Sequence, residues 1–129
     1  MSNSERYQRG LEVLRQMLGP DEAERTLRTW QTISPEFAQY VLEFVAGDIW
    51  HRPQLGRQHK SLVTIAVLAA LGRPLALNLN LRMALNNGVS RQDIVETLLQ
   101  IAPYAGFPAC WEGLAAAQQV FQEIDAQQT

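Results

Sequence analysis

Apolar residues recur along most of this chain at intervals of three and four, the spacing that gathers them on one face of an α-helix. From Ser4 to Leu18 they fall at Tyr7, Leu11, Leu14 and Leu18, and Gly19-Pro20 closes the segment. A second, more polar helix is predicted from Asp21 to Gln31. Ser34 is placed to cap a third, with Pro35 at its first position. Its apolar stripe, expected to face a core, is Phe37, Tyr40, Val41, Phe44 and Val45. Gly47 should weaken the end of that helix. The segment "DIWHRPQLG" then reads as a loop, marked by Pro53 and Gly56.

The pattern changes from Arg57 to Leu71. "SLVTIAVLAALG" is apolar nearly all round, which places a helix at the centre of a domain or in a subunit interface. Gly72-Arg73-Pro74 breaks the chain, and Pro74 suits the first turn of a helix running to Asn87. Ser90 with Asp93 resembles a capping box and opens a helix through Ile101. Pro103 and Pro108 bracket a kink, after which a last helix should end near Ile124. Nothing alternates with period two for long, and no repeat shows at periods of about 20–50 residues. The fold class is all-α, a compact subunit of six or seven helices.

Composition narrows the function. At 129 residues one domain is expected, spanning 1–129 and long enough for a real core. Formal charge is −2, and the eleven Lys and Arg residues are scattered, which argues against a nucleic-acid partner. Cys110 is the only cysteine, so an internal disulfide, a CxxC redox pair and a cysteine-rich zinc site are excluded. His51 and His59 are too few for a histidine metal cluster unless carboxylates join them, and no metal site is expected. "MSNSERYQRG" has no apolar stretch after its charges, and the run from Leu62 to Leu71 is too short to span a bilayer. A soluble, cytoplasmic protein without a membrane partner is the expectation.

One stretch raises a chemical question. "LNLNLRMALNNG", residues 77–88, contains Asn78, Asn80, Asn86 and Asn87. Asn86-Asn87-Gly88 suits a left-handed helix close. Asn78 and Asn80 lie among leucines, where a carboxamide is a poor helix former and needs partners once buried.

The stretches "RYQRGLEVLRQMLG", "GDIWHRPQLGRQHKSLVTIAVLAALGR", "LNLRMALNNGV" and "YAGFPA", in this order and spacing, resemble the γ-carboxymuconolactone decarboxylase family. The resemblance runs from Arg6 to about Phe121. It implies an all-helical subunit of the alkyl hydroperoxidase D-like superfamily that self-associates as a trimer or hexamer, with its site near a subunit interface. It also implies a cofactor-free loss of CO₂ from a carboxylated, unsaturated lactone in aromatic compound catabolism. Such a reaction needs a donor for the developing oxyanion, cations for the substrate's carboxylates and a general acid to protonate carbon.

The family's motif in this helix usually reads leucine or methionine, histidine, aliphatic, arginine. Here it is Leu79-Asn80-Leu81-Arg82, so Asn80 stands at the histidine position and Arg82 keeps the arginine. An Asn amide can donate to an oxyanion but delivers no proton at neutral pH. The thiol-peroxidase positions of the superfamily fall on Arg73, Ala76, Asn80 and Ser61, which disfavours that activity. Ala46-Gly47-Asp48 stands where Trp-Gly-Glu/Asp is common, Lys60 where Arg is usual, and Leu75-Ala76-Leu77 where the family is acidic or polar.

The catalytic candidates are therefore Asn80, Arg82 and His51, and the substrate-binding candidates Asp48, Trp50, Arg52, Lys60 and Tyr104. Each has a plainer reading beside it. Asn80 can be a buried amide bonded to nearby backbone, and Arg82, about 200° around the helix from it, can be an ion pair to Asp48 or Glu43. Trp50 can be a packing anchor, His51 an exposed imidazole, and His59 a structural or interfacial one. Arg52 lies in a loop, where functional groups concentrate. Tyr104 can point its hydroxyl into a pocket or leave it at the rim of a core. Cys110 reads as a small buried hydrophobe, and Trp111 as core or interface. A small carboxylate or lactone is the expected ligand. The alternatives are a ligand-binding homologue without catalysis, or a lyase or isomerase acting on a different small carboxylate.

Overall fold

Three serines open helices, and two of them, Ser34 and Ser90, do so where the sequence predicts a cap. The Ser4, Ser34 and Ser90 hydroxyls accept from the backbone N–H of Tyr7, Phe37 and Asp93 at 3.0–3.1 Å. The computed structural model describes residues 4–128, and they are all-α, with no strand among them. In order the helices are α1 Glu5–Leu18, α2 Pro20–Ile33, α3 Pro35–Tyr40 leading into a π-helical stretch Val41–Trp50, α4 Arg57–Leu71, α5 Pro74–Asn86, α6 Arg91–Gln100, α7 Ala102–Ala105 and α8 Phe107–Gln127. They form two compact units, Met1–Gly56 and Arg57–Thr129.

In the first unit, Val13, Leu14, Met17, Leu18, Ala23 and Leu27 of α1 and α2 are buried. The third helix corrects the sequence reading on three points. Tyr40 and Phe44 of the predicted stripe are 70% and 55% exposed, and Phe37 and Val45 are exposed as well. The buried face is instead Ala38, Leu42, Ala46, Gly47 and Trp50. The helix also continues three residues into the predicted loop, as a π-helix whose wider turn spaces like-facing residues four to five apart. Gly47 does not end it. A Cβ on Gly47 would lie 2.5 Å from the Arg6 carbonyl oxygen, and one on Gly10 would overlap the Leu42 carbonyl. Backbone meets backbone at this crossing, so small residues rather than aromatic ones mark the contact face.

In the second unit, Ile65, Leu77, Leu81, Ile94, Leu98, Cys110 and Val120 form one core. Gly113 lets α8 approach closely: a Cβ there would be 2.9 Å from Leu98 and 3.2 Å from Ala69. Only Ser61, Ile65 and Ala69 of α4 are buried, while Val63, Val67 and Leu71 are exposed within the chain. At the end of α5 the close is a Schellman motif, with Val89 N–H donating to Ala84 at 3.0 Å and Gly88 to Leu85 at 3.0 Å. Gly88 takes the positive φ of 92°, while Asn87 stays at −79°. Arg91, at the start of α6, is bidentate to Asp125 at 2.7 and 3.1 Å and lies 4.9 Å over the Phe121 ring.

Candidate functional site

Asn80 sits half-buried in the middle of α5. Its Nδ2 donates to the Ala76 carbonyl one turn back, at 2.8 Å. One amide N–H is thereby used by the helix, and the second remains a donor. Two residues on, Arg82 turns another way. Its Nε donates to Asn78 Oδ1 at 3.2 Å and its Nη2 to Glu123 on α8 at 2.6 Å. The ion-pair partner of Arg82 is thus Glu123, not Asp48 or Glu43. Both asparagines among the leucines have helix-local partners four residues away. The side chains of Asn80 and Arg82 diverge.

Lys60 is half-buried in the first turn of α4. Tyr104, on the short α7, is 84% exposed, so it is no core tyrosine. Trp111 is likewise exposed at 74%, while Cys110 beside it is buried. Ser61, the buried polar residue of α4, accepts from Asn87 Nδ2 at 3.0 Å. A cleft of about 440 Å³ opens where the end of α4 and the start of α5 meet α8, with Arg73 and Glu112 among its apolar walls. Neither Asn80 nor Arg82 lines it.

In the first unit, the π-helical stretch delivers the other four candidates in sequence. Asp48 accepts from Arg6 at 2.7 and 3.1 Å and from Arg9 at 3.2 Å, and Arg9 Nε also donates to the Gly47 carbonyl at 2.8 Å. The hydrogen bonds from Arg6 are the main cause holding the Asp48 carboxyl below its ordinary range; partial burial opposes them, and the two guanidinium charges add. At the other end of the stretch Glu43 accepts from Ser4 at 2.6 Å and from Gln39 at 2.9 Å, and these two bonds, Ser4 first, hold its carboxyl low as well. Trp50 is buried, and the exposed His51 and Arg52 follow where the helix ends, with Arg52 N–H donating to Ile49 at 3.2 Å.

Residues 35–119 match the carboxymuconolactone decarboxylase family. The chain is 39% identical over 124 residues to a 4-carboxymuconolactone decarboxylase from Acinetobacter baylyi, covering 96% of this chain and 92% of that protein. The chain belongs to the carboxymuconolactone decarboxylase family. A second relative, at 31% identity over 92% of the chain and 82% of its own length, is the nitrosuccinic acid decarboxylase npaB of Metarhizium robertsii. This family member is accordingly a carboxy-lyase by class. Among its described residues no helix is long and apolar enough to cross a membrane.

Sequence reasoning missed the residues that hold the candidates in place. Arg6 and Arg9 were visible as basic residues three apart in "RYQRG", but their partner lies about forty positions on. Asn78 is not among the candidates, although its spacing of four from Arg82 is the helical pairing distance. Glu123 carried no local signal.

Proposed function

We propose that this family member is a cofactor-free decarboxylase of a γ-carboxymuconolactone-like unsaturated lactone acid. The observation that carries the reading is the 39% identity, over almost the whole chain, to a 4-carboxymuconolactone decarboxylase. The family match crosses both compact units, which supports one functional domain over 1–129.

Each role follows from what the side chain can do. As CO₂ leaves, the electron pair moves through the conjugated C=C onto the lactone carbonyl. The free N–H of Asn80 donates to the oxygen that gains this charge. Arg52 and Lys60 bind the substrate's carboxylates, and Arg82 adds positive charge from the N–H groups that Asn78 and Glu123 leave over. His51, exposed where the π-helix ends, supplies the proton to carbon more slowly than an imidazole held at position 80 would, Trp50 walls the pocket, and Tyr104 contributes a hydroxyl. Asp48 changes role: with its carboxylate engaged by two arginines, it positions rather than binds. The enzyme works as a trimer or hexamer in the cytoplasm.

A second reading has its own support in the 31% identical nitrosuccinic acid decarboxylase. A nitro group, like a conjugated lactone carbonyl, accepts the electron pair left by a departing carboxylate. A smaller nitro or oxo acid is the substrate in that case.

The test is turnover of γ-carboxymuconolactone, followed by loss of its absorbance, beside turnover of nitrosuccinic acid. Lactone turnover by wild type should be slow, and Asn80→His should raise it by about 10²–10⁴-fold, the usual contribution of a placed general acid. Turnover of the nitro acid alone would replace the first reading with the second. Inertness of wild type and of a well-folded Asn80→His toward both acids would refute both.

A further inference from the structure

A ten-residue π-helix needs an external cause. The π form is rare and is met mostly as single-turn bulges, frequently at functional sites. Nothing in "VLEFVAGDIW" forbids an α-helix: it has no proline, and Gly47 is its one strong helix weakener. The cause lies in α1. Backbone-to-backbone contact at Gly10 and Gly47 seats the two helices together. Two carboxylates near the ends of the stretch are then tied to the N-cap and first two turns of α1: Glu43 to Ser4, and Asp48 to Arg6 and Arg9. Arg9 also takes up the Gly47 carbonyl itself. Rewinding Val41–Trp50 to α would turn Asp48 off its two arginines and shift where the chain leaves the helix.

That exit carries Trp50, His51 and Arg52. We propose that Arg6 and Arg9 are positioning residues for the decarboxylation: through Asp48 and Gly47 they hold the π-helical register and so set where His51 and Arg52 are delivered. The inference rests on the roles given to those two residues above. Neither arginine touches the reacting atoms; each acts through Asp48. The Arg6 fork matches both carboxylate oxygens, so lysine is a partial substitute at best.

The experiment compares wild type with Arg6→Gln/Arg9→Gln. A control, Arg91→Gln, removes a bidentate arginine–aspartate pair of the same kind from the other unit. Backbone hydrogen exchange over residues 41–56 should quicken at least about tenfold in the double variant, with α5 to α8 unchanged. KM should rise at least about tenfold, kcat should fall less, and Arg91→Gln should keep wild-type KM. Arg6→Lys should recover part of the loss. In a cycle with Asp48→Asn, the second change should add little once the first is made. Unchanged exchange over 41–56 would overturn the clamp. Faster exchange with wild-type KM and kcat would overturn its bearing on the reaction. Wild type inert toward both acids refutes the functional reading instead, and the exchange data then judge the clamp alone.

Discussion

Asn80 has two amide N–H groups, and its helix uses one of them. That division lets one residue satisfy a half-buried helix and still offer a donor to a ligand. Arg82 is drawn toward α8 by Glu123, so its charge is shared before any substrate arrives. Arg82→Ala should therefore cost substrate use about 1.5–3 kcal/mol, the worth of hydrogen bonds to a charged group, read from kcat/KM. Glu123→Gln should act oppositely, lowering KM for a carboxylate substrate by releasing the guanidinium. Cys110 is buried in the second unit's core and has no thiol partner in the chain. Cys110→Ser should lower the melting temperature, since it buries a hydroxyl, yet leave kcat/KM per folded molecule within about tenfold of wild type. A larger loss would reveal a working thiol. That Asn80 falls within a helix among leucines was readable from the sequence; the direction in which its amide points was not, because that depends on the turn behind it.

At the scale of elements, the crossing of α1 and the π-helix should be the most sensitive contact in the first unit. Gly10→Ala should destabilise by about 1–3 kcal/mol or more, because its Cβ meets a backbone carbonyl that cannot turn aside. Denaturant titration measures this, and Gly19→Ala, with open space around it, separates packing from the strain of a positive φ. The same crossing should be acid-sensitive. Asp48 and Glu43 are held below their ordinary values in the fold, so the stability they add is present above about pH 4, where unfolded carboxylates are ionised. It is lost as pH falls further, through their folded values. Asp48→Asn should flatten that acid limb of the stability curve. The helices α1 and α2 were legible in their periodicity. The third was legible as a helix and misread in its facing, because the contact there is made by glycine and alanine, which hydrophobic spacing does not register.

For the whole molecule, the exposed apolar residues carry the expectation of assembly. Phe37, Tyr40 and Phe44 in one unit, and Val63, Val67, Leu71 and Leu75 in the other, leave more large apolar surface uncovered than a solitary small chain usually tolerates. Sedimentation at micromolar concentration should show at least three chains together, and Val67→Asp should shift the protein toward smaller species. A wild-type monomer would refute the proposed assembly.

The all-helical class, the capping serines, the Schellman close at Gly88 and the family were all determined by the sequence itself. They depend on residues within about five positions of one another, or on an ordered set of motifs. The tertiary structure decided which face of the third helix is buried, that its end is π-helical, and that Asp48 and Arg82 are held by Arg6, Arg9 and Glu123. Those choices are made between segments about forty residues apart, where a backbone contact or a charge pair outweighs local preference.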